Sequence, residues 1–219
     1  LQQKDEDELN ARAAGLAAGD IAANGYLHRV LTLCGLGVSF TGMSNHGSMG
    51  EHQISHYIDC FAGDRHPGTL HGQQVGVATL TMARIQRHYL ESEKPPRIRP
   101  TRISQAGMAR RMGPDIAAQC YGEIQPKIFD ERSAAELNEK FAELWPVLRQ
   151  ELQAFALPVR QMEQMLGNAG GPMTADDLGL PVDFYREAVV HSREMRNRYS
   201  FIDVAADEGL LEDFAEREV

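Results

Sequence analysis

The chain has 219 residues, of which 42% are hydrophobic and 24% are charged, and its formal net charge is −9. This length can bury a hydrophobic core, and the negative surface repels phosphate backbones and anionic lipids, so we expect neither nucleic-acid nor membrane binding. Three widely spaced cysteines without a CxxC pair argue against a disulfide framework or a zinc knuckle and favour a reducing, cytoplasmic compartment.

The first half of the chain has a helical hydrophobic pattern. Asp20 is the predicted N-cap of an apolar helix. The helix is followed by "GLGVSFTGMSNHGSMG", in which the apolar pattern weakens and which we expect to be a loop or a broken helix. A short helix is predicted from Gly50 to about Phe61, followed by a turn at "AGDRHPG". A second long helix is predicted from Leu70 to Leu90, where the prolines of "ESEKPPRIRP" end it.

The second half is also predicted to be helical. Ser133 and Glu136 form a predicted capping box for an amphipathic helix that reaches about Phe155. Pro181 suits the first turn of a helix that runs to about Tyr199.

The fold class follows from this pattern. No run of alternating β-branched residues reaches the length of a convincing strand. The sequence therefore predicts an all-α protein, a helical bundle forming one domain over residues 1–219.

Three histidines are candidates for a metal site. His52 and His56 lie four residues apart in "GSMGEHQISHYID", and His71 follows in "TLHGQQVGV". Positions i and i+4 share one face of a helix, so the first two imidazoles point the same way, and Asp59 continues the stripe at i+7. Neutral imidazole binds zinc and similar ions well. The spacing alone leaves an alternative open, in which His56 hydrogen-bonds within the core and His52 is exposed.

Other motifs point to ordinary structure. "GLGVSFTG" and "GNAGGP" follow helical segments rather than strands, so we interpret both as turns and not as phosphate-binding loops. The basic run from Arg99 to Arg111 is interpreted as a solvated helix face or an anion contact. His46 and His66 are predicted to lie in loops.

Longer motifs resemble a known family. The stretch "GEHQISHYID…HPGTLHGQQVGVATL" resembles the C-terminal helical domain of the iron/zinc-dependent alcohol dehydrogenase and dehydroquinate synthase superfamily. Within it the sequence is most similar to glycerol-1-phosphate dehydrogenases, which carry "GxEHxxSH" and then "HGExVGxGT". The stretch "HSREMRNRYSFIDVAADEGLL" is similar to their tail "IRDRYTxLxxAxxxG". The resemblance covers about Ile21 to Leu211, and Gln73 stands where the family usually has Glu.

The resemblance implies a site and an activity. His52 and His71 would be ligands of zinc, iron or nickel, and His56 would relay protons beside the substrate. The substrate would be a small polyol phosphate such as glycerol 1-phosphate, oxidised with NAD(P).

The same resemblance implies that parts of the family enzyme are missing from this sequence. In the family an N-terminal α/β domain binds NAD(P), and an aspartate before the helical domain is the third metal ligand. Neither is recognisable here. We therefore expect an isolated C-terminal part that is inactive alone and binds zinc weakly or not at all, with His56 as a substitute ligand.

Two other functions remain open. A dehydroquinate-synthase-like lyase shares the helical domain but typically reads "GHTxGHAxE", whereas here Glu51 precedes His52 and Ser55 precedes His56. A non-enzymatic helical interaction domain would keep the histidines without binding a metal. Homodimerisation is left open in each case.

Overall fold

The computed structural model describes residues 2–218, and within that range all regular structure is helical. The predicted all-α class is confirmed. The α-helices of this part of the chain, numbered in chain order, are α1 Gln3–Ala11, α2 Ala13–Ala17, α3 Ile21–Thr41, α4 Gly50–Phe61, α5 His71–Glu91, α6 Gln105–Met112, α7 Pro114–Ile124, α8 Glu131–Phe155, α9 Val159–Asn168, α10 Val182–His191, α11 Phe201–Glu208 and α12 Leu211–Glu216.

The main core forms around α4 and α5, which pack side by side. Ile54 and Ile58 of α4 and Val77 of α5 are fully buried there, together with Phe184 of α10 and Ile202 of α11. Because α4 buries one face in this core, its opposite face is free to present polar side chains.

A smaller core lies between α6 and α7. Its buried members are Met108, Met112, Ala117 and Ile124. A 3-10 turn, Ser192–Glu194, connects it to the main core, because this turn packs against both α4 and α7.

Helix α3 is longer than the sequence predicts. The glycine-rich stretch was expected to be a loop or a broken helix, but α3 continues unbroken to Thr41 and ends only at Gly42, whose φ of 67° is left-handed. Gly37 has a packing role inside this helix, since a Cβ there would lie 2.9 Å from Nε2 of His46. The prediction failed because a glycine costs a helix only about 1 kcal/mol, which packing can offset.

Two helix ends in the second half differ from the prediction. Helix α8 begins at Glu131 and is capped by a reciprocal pair of hydrogen bonds between Asp130 and Ser133. The predicted capping pair, Ser133 with Glu136, is not the one observed. Helix α10 ends at His191 and not near Tyr199, and the 3-10 turn follows it directly. Across residues 2–218, none of the helices has both the length and the apolar character needed to cross a bilayer.

Candidate metal centre

Helices α4 and α5 bring the three predicted histidines together. His52, His56 and Asp59 lie on one face of α4, and His71 is the first residue of α5. The connection contains the 3-10 turn Gly63–Arg65 and is short enough to place the start of α5 beside the middle of α4.

The distances between the imidazole rings are compatible with one shared ion. Ring centroids are 5.3 Å apart for His52 and His71, 5.1 Å for His56 and His71, and 6.3 Å for His52 and His56. Three imidazoles on one tetrahedral zinc ion, with Zn–N bonds of ~2.1 Å, would have centroids ~5.3 Å apart. Two of the three pairs match this spacing, and the third is wider.

Hydrogen bonds orient two of these rings. Nδ1 of His52 lies 2.8 Å from Oε1 of Glu51, which also accepts a hydrogen bond from the backbone N–H of Met49. A carboxylate on Nδ1 stabilises the tautomer in which Nε2 carries a lone pair, as in many metal-bound histidines. Glu51 therefore leaves Nε2 of His52 available to a ligand.

The orientation of His71 depends on a buried relay. The hydroxyl of Ser55 donates to Oε1 of Gln74 at 2.7 Å, so its oxygen accepts the hydrogen bond from Nδ1 of His71 at 2.8 Å. Ser55 and Gln74 are fully buried, which fixes this geometry. His71 consequently also keeps a free lone pair on Nε2.

His56 has no hydrogen-bond partner within residues 2–218, although its ring is half-buried. The alternative interpretation predicts hydrogen bonds for His56 within the core, and the described part of the chain shows none. Burial lowers the pKa of His56, and the charges of Arg196, His71 and His52 lower it further, while Asp59 opposes the shift. His56 is thus a neutral imidazole at pH 7 with both nitrogens unused.

Asp59 adds a carboxylate to the cluster. His56, Asp59 and His71 bring one potential ligand atom each to within 4.8 Å of one another. An ion with bonds of ~2.1 Å can span ligand atoms up to ~4.2 Å apart, so small side-chain shifts would close this group around a metal. Two imidazoles and a carboxylate, with positions left for solvent or substrate, are a donor set found in catalytic zinc sites.

Hydrogen bonds hold the carboxylate of Asp59 in place. Nε2 of Gln74 donates to Oδ1 at 2.9 Å, and Nε2 of His66 donates to the same oxygen at 3.2 Å, while Nδ1 of His71 lies 3.3 Å from Oδ2. Burial acts to raise the pKa of Asp59, but these hydrogen bonds outweigh it and the pKa is lowered. Asp59 therefore stays ionised at neutral pH, as a metal ligand must.

Sequence reasoning located the three histidines but missed their neighbours. His66 was assigned to a loop, which is correct, yet its contact with Asp59 was not foreseen. Nothing in the sequence marked Gln74 or Ser55 as part of the site, because the role of a buried glutamine or serine is visible only once its hydrogen-bond partners are known. The sequence placed Asp59 on the same helix face as His52, seven residues further on, and this spacing was the only indication that it could belong to the site.

A groove in the described part of the chain lies away from the histidine cluster. A volume of about 710 Å³ is enclosed by α5, α8 and α9, and Leu90, Phe155 and Val159 are among its lining residues. None of the histidines of the cluster lines it, and its walls are mainly apolar. We therefore place the candidate chemistry at the α4–α5 cluster.

Comparisons with known proteins give a distant relationship. No protein-family model matches the chain, and no solved structure matches it. Glycerol-1-phosphate dehydrogenase (NAD(P)+) of Bacillus velezensis is 25% identical to it over 202 residues, which are 90% of this chain. The chain is a distant relative of that dehydrogenase. It spans 40% of the length of this curated relative.

Proposed function

We propose that the chain is the metal- and substrate-binding helical part of an NAD(P)-dependent dehydrogenase that acts on a small polyol phosphate. The observation that carries the proposal is the convergence of His52, His56 and His71, with ring centroids 5.1–6.3 Å apart, in a distant relative of a glycerol-1-phosphate dehydrogenase.

The residues of the cluster fit a divalent metal ion. His71 belongs to each possible set of metal ligands. Its ring is the closest to both other imidazoles, and it is one of the three residues, with His56 and Asp59, whose ligand atoms lie within 4.8 Å of one another. His52 or the pair of His56 and Asp59 supplies the remaining protein ligands. A bound zinc, iron or nickel ion polarises an alcohol oxygen and lowers the pKa of the hydroxyl group.

His56 has the second role in this proposal. When His52 and His71 hold the ion, the unpaired nitrogens of His56 are free to take the hydroxyl proton of the substrate. Burial keeps this imidazole neutral at pH 7, which is the state that accepts a proton.

The proposal assigns the nicotinamide cofactor to a different part of the enzyme. Residues 2–218 contain no β-strand, and a Rossmann-type dinucleotide site requires a strand before its glycine-rich turn. The hydride acceptor is therefore not held by these residues in the Rossmann manner, and we expect the isolated 219-residue chain to show no turnover of glycerol 1-phosphate.

Zinc titration of the purified chain by calorimetry tests the proposal. We expect one zinc per chain, and we expect His71→Ala to weaken binding at least about tenfold, since each lost ligand or orienting group costs ~10–100-fold. His46→Ala is the matched control, because His46 lies in the loop before α4 and outside the cluster, and it should leave zinc affinity unchanged.

Two further variants separate the possible ligand sets. Loss of binding in His52→Ala with retention in Asp59→Asn indicates the arrangement in which His56 relays protons. The opposite result indicates that His56, Asp59 and His71 are the ligands. Absence of zinc binding in the wild-type chain contradicts the proposal and favours a non-enzymatic helical domain.

A further inference from the structure

We propose that the groove between α5, α8 and α9 binds a fatty acid, whose hydrocarbon chain lies along the groove and whose carboxylate enters an adjoining pocket lined by arginines. This site is separate from the histidine cluster. Leu90, which lines the groove, lies ~28 Å along α5 from His71 at a rise of ~1.5 Å per residue. The inference therefore does not depend on the proposed function.

The apolar groove has a size and a lining that suit a hydrocarbon chain. Its volume is about 710 Å³, and Leu90, Phe155, Leu157 and Val159 are among its lining residues. Phe155 is 75% exposed and Leu157 is 40% exposed, so these side chains still have apolar surface in contact with water. Pockets for single small molecules have volumes of about 300–1,000 Å³. A ligand of that size with an apolar body would remove this surface from water.

Hydrogen bonds fix the walls of the groove without a ligand. Nε of Arg149 and Nε2 of Gln153, both in α8, donate to the carbonyl oxygen of Leu90 at 2.7 Å and 2.6 Å. Nη2 of Arg84 in α5 donates to Oε1 of Glu163 in α9 at 3.1 Å. The three helices that form the groove are therefore held together by side chains, and the groove is present before a ligand binds.

A second cavity continues the groove. It has a volume of about 410 Å³ and lies between α5, α9 and the end of α12. Arg87, Glu91, Val159 and Arg160 line both cavities, so the two are continuous. We call the second cavity the basic pocket because four arginines line it, namely Arg84, Arg87, Arg160 and Arg217.

The carboxylates in the basic pocket are already paired. Arg84 binds Glu163 at 3.1 Å and Glu218 at 2.8 Å, and Arg87 binds Glu91 at 3.0 Å. These are the three glutamates that line the pocket. The carboxylates of the pocket are thus engaged by Arg84 and Arg87, which leaves the guanidinium of Arg160 to a ligand.

Arg160 lies where the two cavities meet. Its side chain makes no ion pair or hydrogen bond with another residue in the range 2–218. Four arginines against three glutamates give the pocket a net charge of +1 when His88 is neutral. A monoanion balances this charge, and the planar guanidinium binds a carboxylate through two parallel hydrogen bonds. A cation at one end of an apolar groove is complementary to a carboxylate at one end of a hydrocarbon chain.

Binding measurements on the 219-residue chain test the site. Octanoate, decanoate, dodecanoate, decanol and decyltrimethylammonium are titrated separately at pH 7, below their micelle concentrations, with calorimetric detection. The variants are Arg160→Gln and Phe155→Ala, and both replaced side chains are exposed, so we expect the variants to fold like the wild type.

Each variant has a matched control outside both cavities. Arg132→Gln removes the same charge at the start of α8, where the side chain is 88% exposed. Phe40→Ala removes the same ring from α3, where Phe40 is 86% exposed.

The expected result separates the two ends of the ligand. Decanoate binds the wild type and both controls equally, and each added methylene raises the affinity about fourfold. Arg160→Gln weakens decanoate about fivefold, the upper range for an exposed ion pair, and leaves decanol unchanged. Phe155→Ala weakens decanoate and decanol alike, by about tenfold. His71→Ala binds decanoate like the wild type.

Several results would overturn the site. These are no binding of dodecanoate by the wild type, an affinity that does not depend on chain length, equal decanoate affinity in the wild type and Arg160→Gln, and decyltrimethylammonium binding as tightly as decanoate. Sedimentation of the same variants tests another occupant of the groove. A wild-type dimer that Phe155→Ala dissociates would show that a second copy of the chain, and not a fatty acid, covers the groove.

Discussion

At the scale of single residues, the hydroxyl of Ser55 controls the orientation of His71. It accepts from Nδ1 of His71 and donates to Oε1 of Gln74. We expect Ser55→Ala to fold normally but to bind zinc ~10–100-fold more weakly, because the imidazole loses the partner that fixes its tautomer and direction. Zinc calorimetry measures the loss, and Ser39→Ala, on the exposed face of α3, is the control that should bind like wild type.

A second residue-scale prediction concerns Gln53. Replacing its buried, unpaired amide with the apolar Gln53→Leu removes two unsatisfied polar atoms while keeping a similar volume. We expect the free energy of unfolding of the ligand-free protein to rise by about 1 kcal/mol, as measured by urea denaturation. A decrease would show that the amide has a structural partner in the folded protein.

At the scale of elements, the position of α4 depends on its first residue. A Cβ on Gly50 would lie 2.6 Å from Sδ of Met82 in α5 and 3.1 Å from Cδ1 of Ile202 in α11. We expect Gly50→Ala to lower the free energy of unfolding by about 1–3 kcal/mol, since overpacking forces neighbouring side chains out of their preferred rotamers.

The control for this change lies in α3. Gly25 is also helical, but a Cβ there meets nothing within 4 Å. Gly25→Ala should therefore raise the free energy of unfolding by about 0.5–1 kcal/mol through helix propensity. If both variants change stability in the same direction, the tight contact at Gly50 is not what positions α4.

Helices with a regular hydrophobic period were predictable from the sequence. Helix bounds that depend on tertiary packing were not. The predicted helix from Gly50 to Phe61 has the observed bounds of α4, because its apolar stripe is regular and its flanks are glycines. The continuation of α3 through Gly35 and Gly37 was missed, since it depends on packing against His46. The same limit applies to the site, where the shared face of His52 and His56 was visible in the sequence and the relay from His71 through Ser55 to Gln74 was not.

At the scale of the whole molecule, Glu194 links the two cores. It binds Arg111 of α6 and His191 of α10 and is 5% exposed. Burial acts to raise its pKa, but the hydrogen bonds from His191 and Arg111 outweigh it, so the pKa lies below the ordinary value of 4.5. Its contribution to stability is thus fully present above pH 4.5 and is lost as pH falls through the lowered pKa.

Denaturation of wild type and Glu194→Gln as a function of pH tests this link. At pH 7 we expect the variant to be less stable by about 3 kcal/mol, because a buried ion pair loses one partner. The difference should shrink as the pH falls below 4.5 and the wild-type carboxylate becomes protonated. A difference that is independent of pH would show that the ionised carboxylate of Glu194 is not what holds the cores together.

The central claim is that one metal ion binds between α4 and α5. Anomalous X-ray scattering at the zinc absorption edge, from crystals of the purified chain grown with zinc, tests it most directly. We expect a single strong peak within bonding distance, ~2.1 Å, of a nitrogen of His71 and of a ligand atom from His52, His56 or Asp59. A peak bound to other residues, or no peak at this cluster in zinc-saturated crystals, would show that the α4–α5 cluster does not bind the metal.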